Sequence, residues 1–177
     1  MKKMVRVTAP LGVFFDKDSI PARTLEAASD RGRAVHAACA AYAKRLPVIL
    51  ENGSYPYFGS FREWFDKYVK RVLFVEQEFR DDTTYHILGH PDLVAELIDG
   101  RVVVVDYKTP QAESRTWAAQ VATYCYLVSN RIGGVVHGMA LILSDSGGAA
   151  RAIPYQYKAT DFAAFCAALT AYRYFKA

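Results

Sequence analysis

The sequence predicts an α/β fold, a central mixed β-sheet flanked by helices, in the order helix, three strands with a hairpin, helix, and one or two further strands. Three observations predict it. Two apolar runs, Leu93 to Ile98 and Arg101 to Val105, are joined by Asp99-Gly100, the strongest short hairpin signal a sequence offers. Val102 to Val105 are four valines in a row, the pattern of a strand covered on both faces and therefore central. After this hairpin comes a helical stripe, Trp117, Val121, Tyr124 and Val128, closed by Gly133-Gly134 and followed by the apolar run Val135 to Leu143. Strand, helix and strand in succession predict a right-handed crossover, with the new strand parallel to the four valines.

Length and composition bound the rest. A chain of 177 residues, 52% hydrophobic and 14% aromatic, reads as a single domain spanning 1–177 with a sizeable core. Lys plus Arg exceed Asp plus Glu by only 22 to 18, a net +4 that suits a nucleic-acid partner but does not imply one. Cys39, Cys125 and Cys166 are far apart, odd in number and without a Cys-x-x-Cys pair, which reads as buried reduced thiols. No apolar run approaches a membrane span, and Met1-Lys2-Lys3 is not followed by a signal-peptide core. The expected location is the cytoplasm, with no membrane partner.

Taken in order, residues 1–20 offer a short strand at Val5 to Val7 or at Val13 to Phe15. Pro21 to Arg45 is alanine-rich, with Val35, Cys39 and Tyr42 at helical spacing, and predicts one or two helices. His36 lies off that stripe, beside Gly32, Ala40 and Ala43, where small neighbours would let another group approach. Leu46 to Tyr57, with Pro47, Asn52-Gly53 and Pro56, reads as a loop. Ser60-Phe61-Arg62-Glu63 has the capping-box pattern, opening an amphipathic helix through Phe61, Trp64, Phe65, Tyr68 and Val72. Arg62, Lys67, Lys70 and Arg71 on its outer face form either a solvated surface or a phosphate contact. Leu73 to Arg80 alternates as a strand with Glu76 and Glu78 on one side, and one of the two is expected to face the hairpin acids. Ser114 is the expected cap of the later helix. Arg151 to Tyr157 is a strand moved toward the edge by Pro154, and Thr160 is the expected cap of a closing helix.

The chemistry lies in the hairpin's spacing. Side chains alternate along a strand, so Asp106 and Lys108 project one way and Tyr107 the other. A two-residue turn at Asp99-Gly100 would pair Asp92 with Tyr107. A three-residue loop, Ile98-Asp99-Gly100, with the glycine in the left-handed conformation, sets Asp92 opposite Asp106, and this register is preferred. Two carboxylates roughly 5 Å apart at Cβ repel unless a positive charge lies between them. A divalent cation completed by water and substrate phosphate satisfies that requirement, and the ammonium of Lys108 suits a water nucleophile or a phosphate oxygen. Either acid alone also reads as an ordinary strand end.

Asp92, thirteen residues, then Asp106-Tyr107-Lys108, with Pro91 before the first acid, resembles the PD-(D/E)XK nuclease signature. Arg31-Gly32-Arg33-Ala34-Val35-His36 on an early helix, an acid on the strand before the hairpin, Gly89-x-x-Asp92, and Gln120-x-x-x-Tyr124 make it similar to the RecB-type branch. That branch includes the nuclease domains of RecB and AddB, CRISPR-associated adaptation nucleases and phage exonucleases. The pattern spans residues 31–124; relatives usually carry a small apolar residue where this chain has Pro91.

The resemblance implies a restriction-endonuclease-like core, αβββαβ, and a divalent-metal-dependent deoxyribonuclease, an exonuclease in DNA recombination, repair or phage DNA processing. It implies metal ligation by Asp92 and Asp106, with the Val105 or Tyr107 carbonyl, Glu76 rather than Glu78, and His36 completing the site. Lys108 would position or activate the attacking water, and Gln120 and Tyr124 would support the site and contact DNA. The expected cofactor is Mg2+, with Mn2+ able to substitute. Some relatives carry four cysteines for an iron-sulfur cluster; three cannot supply one, so no cluster is expected. DNA ends are the expected partner, with a homo-oligomer or a helicase-type recombination partner as further possibilities. A structure-specific or restriction-type endonuclease of the same fold, and a non-catalytic nucleic-acid-binding subunit, are the alternatives.

Overall fold

The structure, a computed structural model, describes residues 3–14, 21–51, 53–110, 113–155 and 159–176. A short strand β1 (Val5–Arg6) leads into α1 (Thr8–Leu11) and a 3-10 turn at Gly12–Phe14. Then come α2 (Ala22–Ala43), α3 (Tyr55–Tyr68), β2 (Val69–Val75), β3 (Phe79–Asp81), β4 (Ile87–Gly89), β5 (Leu93–Leu97) and β6 (Val102–Lys108). The chain finishes with α4 (Thr116–Ile132), β7 (His137–Ile142), β8 (Arg151–Tyr155) and α5 (Ala159–Lys176).

The main sheet has five strands in the order β2-β5-β6-β7-β8, and β6 with β7 is its parallel pair. The predicted crossover through α4 is therefore present, and β6 is the central strand. Its valines divide between two cores. Val103 and Val105 point into the layer of α2 and α3, with Val35, Cys39 and Phe61. Val104 points into the layer of α4 and α5, with Val121, Leu127 and Phe165. All three are fully shielded, which is why an uninterrupted apolar run rather than an alternating one encodes this strand. The result is the mixed α/β architecture expected from the sequence.

The hairpin adopts the three-residue loop. Leu97 N–H donates to the Arg101 carbonyl at 2.9 Å, Gly100 N–H donates to the Leu97 carbonyl at 3.0 Å, and Gly100 sits at φ +86°, a conformation open to glycine at little cost.

Several expectations need correction. The strand expected over Leu73 to Arg80 instead begins at Val69 and stops at Val75, so Val72 belongs to a strand rather than to the preceding helix. β2 can pair with β5 only as far as Leu93; beyond it Glu76 turns to φ 52°, its N–H donating to the Asp92 carbonyl at 3.2 Å. The chain then enters a second, three-stranded sheet, β1-β4-β3, which local periodicity does not reveal.

The helix expected from Ser60 begins at Tyr55, with Pro56 in its first turn, where proline's missing N–H costs nothing. Ser60 is buried in its interior, and its Oγ accepts the Ser144 N–H at 3.0 Å. The Ser-x-x-Glu pattern therefore serves a tertiary contact, not a cap.

Thr160 is the second residue of α5 rather than its cap. At the N-terminus Val5–Arg6 forms the strand, and Val13 lies in the 3-10 turn; Phe15, like Asn52 and the Gln156-Tyr157 end of the last strand, falls outside the described residues. By contrast, Pro21 to Arg45 resolves into one helix and β8 with Pro154 is an edge strand; Ser114 stands one residue before the N-cap position of α4, which Arg115 takes without a side-chain cap, and its Oγ accepts the Thr116 N–H at 3.3 Å.

Candidate metal and phosphodiester site

Pairing of Leu93 with Val105 puts the residues just outside the ladder, Asp92 and Asp106, opposite one another. They lie where β5 and β6 emerge between the two helical layers, and each reaches a different layer. Asp92 occupies a bend before β5; its Oδ1 lies 3.0 Å from His36 Nδ1 on α2, and its Oδ2 accepts the Tyr107 N–H at 2.5 Å. Asp106 faces α4; its Oδ1 accepts the Gln120 amide at 3.1 Å, and its Oδ2 is in ion-pair contact with Lys108 Nζ.

Lys108 is held on three sides. Its ammonium meets Asp106, donates to Gln120 Oε1 at 3.1 Å, and lies 5.1 Å from the centre of the Trp117 ring. Gln120 also donates to the Tyr124 hydroxyl at 3.2 Å, so the i, i+4 pair on α4 acts as one unit. Tyr124 reaches this position because residue 89 is glycine: a Cβ there would stand 2.6 Å from the Tyr124 ring. Tyr107, on the opposite face, packs edge-on against His36 and Phe61 and steadies the strand end.

Asp92 and Asp106 are 6% and 4% exposed, so their charges are costly unless compensated. Burial pushes the Asp106 carboxyl up; Lys108 opposes this, and Asp92 adds to it. Glu76 is raised for the same reasons, burial first and then the Asp92 charge. For His36 burial works against the charged imidazole, but Asp92, with Asp106 and Glu76 behind it, overcomes that and lifts the pKa to about 9. The site therefore holds an excess of negative charge that the protein's own cations do not fully balance.

Among the described residues, His36, Glu76 and Asp92 offer ligand atoms that all lie within 4.8 Å of one another. Asp106 stands beside this trio rather than in it, turned toward Lys108. Its Oδ2 is buried without a donor in good hydrogen-bonding geometry, the Lys108 contact being an ion pair only. Carboxylate oxygens plus one imidazole suit a hard divalent cation such as magnesium or manganese, so the residues present fit such an ion. The three cysteines are free; burial pushes the Cys125 thiol up to about 12, and Cys39 is raised further, which leaves both protonated.

The residues singled out in the sequence, His36, Glu76, Asp92, Asp106, Tyr107, Lys108, Gln120 and Tyr124, thus come together at one end of the sheet. Glu78 does not join them; it is engaged by Arg80 and by His90 at 3.3 Å. Of the basic surface set, Lys70 and Arg71 are paired with Glu96, at 2.7 and 2.8 Å. Trp117, under the Lys108 ammonium, escaped sequence reasoning because it also fits a core stripe. Its position three residues before Gln120, on the same helical face, was the available signal.

A family model described as the PD-(D/E)XK nuclease superfamily matches residues 49–171, well over half the chain; α2 with His36 precedes the matched span. No curated relative matches. Among solved structures, one titled "Crystal structure of SSO0001" is similar in fold, with a TM-score of 0.50 at 13% identity, over 100% of this chain and 78% of that one. No helix among the described residues is long and apolar enough to cross a membrane.

Proposed function

Since this chain belongs to the PD-(D/E)XK nuclease superfamily, a group of divalent-metal-dependent nucleases acting on DNA, we propose that it is a magnesium-dependent deoxyribonuclease of the RecB type. Its expected activity is exonucleolytic, on DNA ends in recombination, repair or phage DNA processing. One observation carries the reading: two buried aspartates opposite one another, with a fixed ammonium on one side and a histidine and glutamate on the other. The RecB assignment draws further support from His36 on the first long helix and the Gln120-Tyr124 pair on α4, both directed at the same strand end.

Asp92, Glu76 and His36 would hold the cation, with Asp106 and a neighbouring main-chain carbonyl of Val105 or Tyr107 completing the set. Bound there, a divalent ion would supply Lewis acidity toward a water and countercharge for phosphate oxygens. The remaining chemistry belongs to the side chains. Lys108, fixed by Asp106, Gln120 and the Trp117 ring, offers N–H donors to the attacking water and to the charge that develops on phosphorus-bound oxygen. Gln120 keeps the ammonium and Asp106 in register by contacting both. His36, held charged by its acidic neighbours in the metal-free protein, must give up its ring proton to become a ligand, so binding releases a proton.

The test is incubation of the protein with end-labelled linear duplex, circular duplex and single-stranded DNA in magnesium, manganese or chelator. The expected result is stepwise shortening of linear DNA that needs metal and spares the circle. Cutting of the circle would replace the exonuclease by an endonuclease of the same fold. DNA binding without cleavage in either metal would replace it by a non-catalytic subunit.

A further inference from the structure

Of the three neighbours that hold the Lys108 ammonium, only one lies outside the expected metal ligands and their hydrogen bonds. Asp106, its ion-pair partner, is itself an expected ligand. Gln120 accepts from the ammonium at 3.1 Å but also donates to Asp106 Oδ1, and is therefore coupled to it. The third neighbour is the Trp117 ring, whose centre lies 5.1 Å from Lys108 Nζ. An indole has no carboxylate to surrender to a cation.

The ring's place is set by the sheet. β6 runs parallel to β7 with Asp106 beside Ala140 and Lys108 beside Ile142, and Trp117 packs on those two partners together with Ile153 and Tyr155. At 6% exposure it is a fixed wall of the site. The first turn of α4 carries it, so that Trp117, Gln120 and Tyr124 share one helical face. Burial alone would be served as well by leucine or phenylalanine. What the indole adds is a negative π face, which attracts a cation within about 6 Å more strongly than the other aromatic rings do, and more so where water is excluded. The Lys108 side chain is only 14% exposed.

Filling the site would weaken the other two contacts. A divalent ion shared by Asp92 and Asp106 would take up much of the Asp106 charge and repel the ammonium beside it. Resting on the metal-dependent nuclease reading above, we propose that Trp117 is a positioning residue, whose ring face retains the Lys108 ammonium at the strand end once Asp106 is engaged by the ion. The attraction to a π face is electrostatic, so it leaves N–H donors of the ammonium for the attacking water and the phosphate oxygen. Without the ring the ammonium would swing toward solvent, and the site would bind metal but cut slowly.

The chain has two tryptophans, Trp64 and Trp117, so fluorotryptophan incorporated in the Trp64→Phe chain gives a fluorine resonance from residue 117 alone. In chelator, adding Lys108→Met is expected to move that resonance, because the charge over the ring is gone. Magnesium added without that substitution is expected to leave the resonance away from the Lys108→Met position. An unmoved resonance in Lys108→Met, or one that goes over to the Lys108→Met position with magnesium, overturns the proposal. Cleavage gives the second readout. Trp117→Leu is expected to lower kcat on linear DNA about tenfold or more with KM and the stabilisation by magnesium kept, and Trp117→Phe to recover part of that loss. Indoles carrying more fluorines keep the shape but weaken the π face, and should lower kcat stepwise. Rates indifferent to fluorination and equal in the Leu and Phe variants mark a packing role and overturn the proposal. A parent chain that neither cuts DNA nor is stabilised by magnesium defeats the nuclease reading instead, a failure distinct from an unmoved resonance in Lys108→Met.

Discussion

Asp81 and Asp106 are both buried acids at strand ends, and the chain treats them in opposite ways. Asp81, closing β3, accepts the backbone N–H groups of Thr83, Thr84 and Tyr85 at 2.8–3.1 Å and the Tyr126 hydroxyl at 2.9 Å. Burial alone would raise its carboxyl, but these donors reverse that and hold it well below the usual carboxylate range. Asp106 has one amide, one ammonium and a second acid nearby, and its carboxyl is raised. An acid with a full set of fixed donors organises structure. An acid pressed against other acids is left to be completed from outside, which is the mark of a site.

That contrast can be broken most severely at the site. Asp106→Asn and Lys108→Ala should each reduce metal-dependent DNA cleavage by about 10³-fold or more, while the melting temperature in chelator should stay at or above that of the parent in Asp106→Asn, which removes a charge its surroundings disfavour, and fall in Lys108→Ala, which leaves that charge without its cation. Cleavage by Asp106→Asn at the parental rate would dissolve the distinction between the two acids.

Asp81→Ala should show the reverse. Several buried donors lose their acceptor, each costing about 1–3 kcal/mol, and an overall loss of about 3 kcal/mol would lower the melting temperature by roughly 6–12 °C. Cleavage per folded molecule should persist. A variant that melts normally but has lost cleavage would assign Asp81 to the site.

Magnesium or manganese sharpens the comparison by supplying what Asp106 and its neighbours lack. At a concentration of 100 times its dissociation constant the ion should stabilise the folded protein by about 2.7 kcal/mol. Calorimetric melts should show that gain in the parent and in Asp81→Asn, and not in Asp92→Asn. A gain that survives Asp92→Asn would move the ion elsewhere.

The smallest effect is on pH. His36 has a folded pKa raised to about 9, so the stability it contributes is full below its unfolded value near 6.5 and is lost as pH rises through 9. Metal-free melts should therefore decline over that alkaline window in the parent and stay flatter in His36→Gln. Asp81 acts at the other end: its carboxyl is depressed, so its contribution is present above about pH 4 and is lost as pH falls below that. Equal alkaline slopes in parent and His36→Gln would remove the imidazole from the electrostatics of the cluster.

What the amino-acid order determined unaided is the part governed by near neighbours. Asp99-Gly100 fixes the loop, the loop fixes the register, and the register fixes Asp92 opposite Asp106; four valines make β6 central, and one helical turn joins Gln120 to Tyr124. Tertiary structure alone decided the rest. Glu76 leaves β2 in a left-handed conformation that no local preference favours, and does so because its ladder partner ends and the Asp92 carbonyl takes its N–H. Ser60 is a buried acceptor for a residue far along the chain rather than a cap, Asp81 gathers donors from its own turn and from α4, and β1 finds β4 across most of the N-terminal half. Each of these depends on which groups are left unsatisfied when distant elements pack, and that is not known until they have.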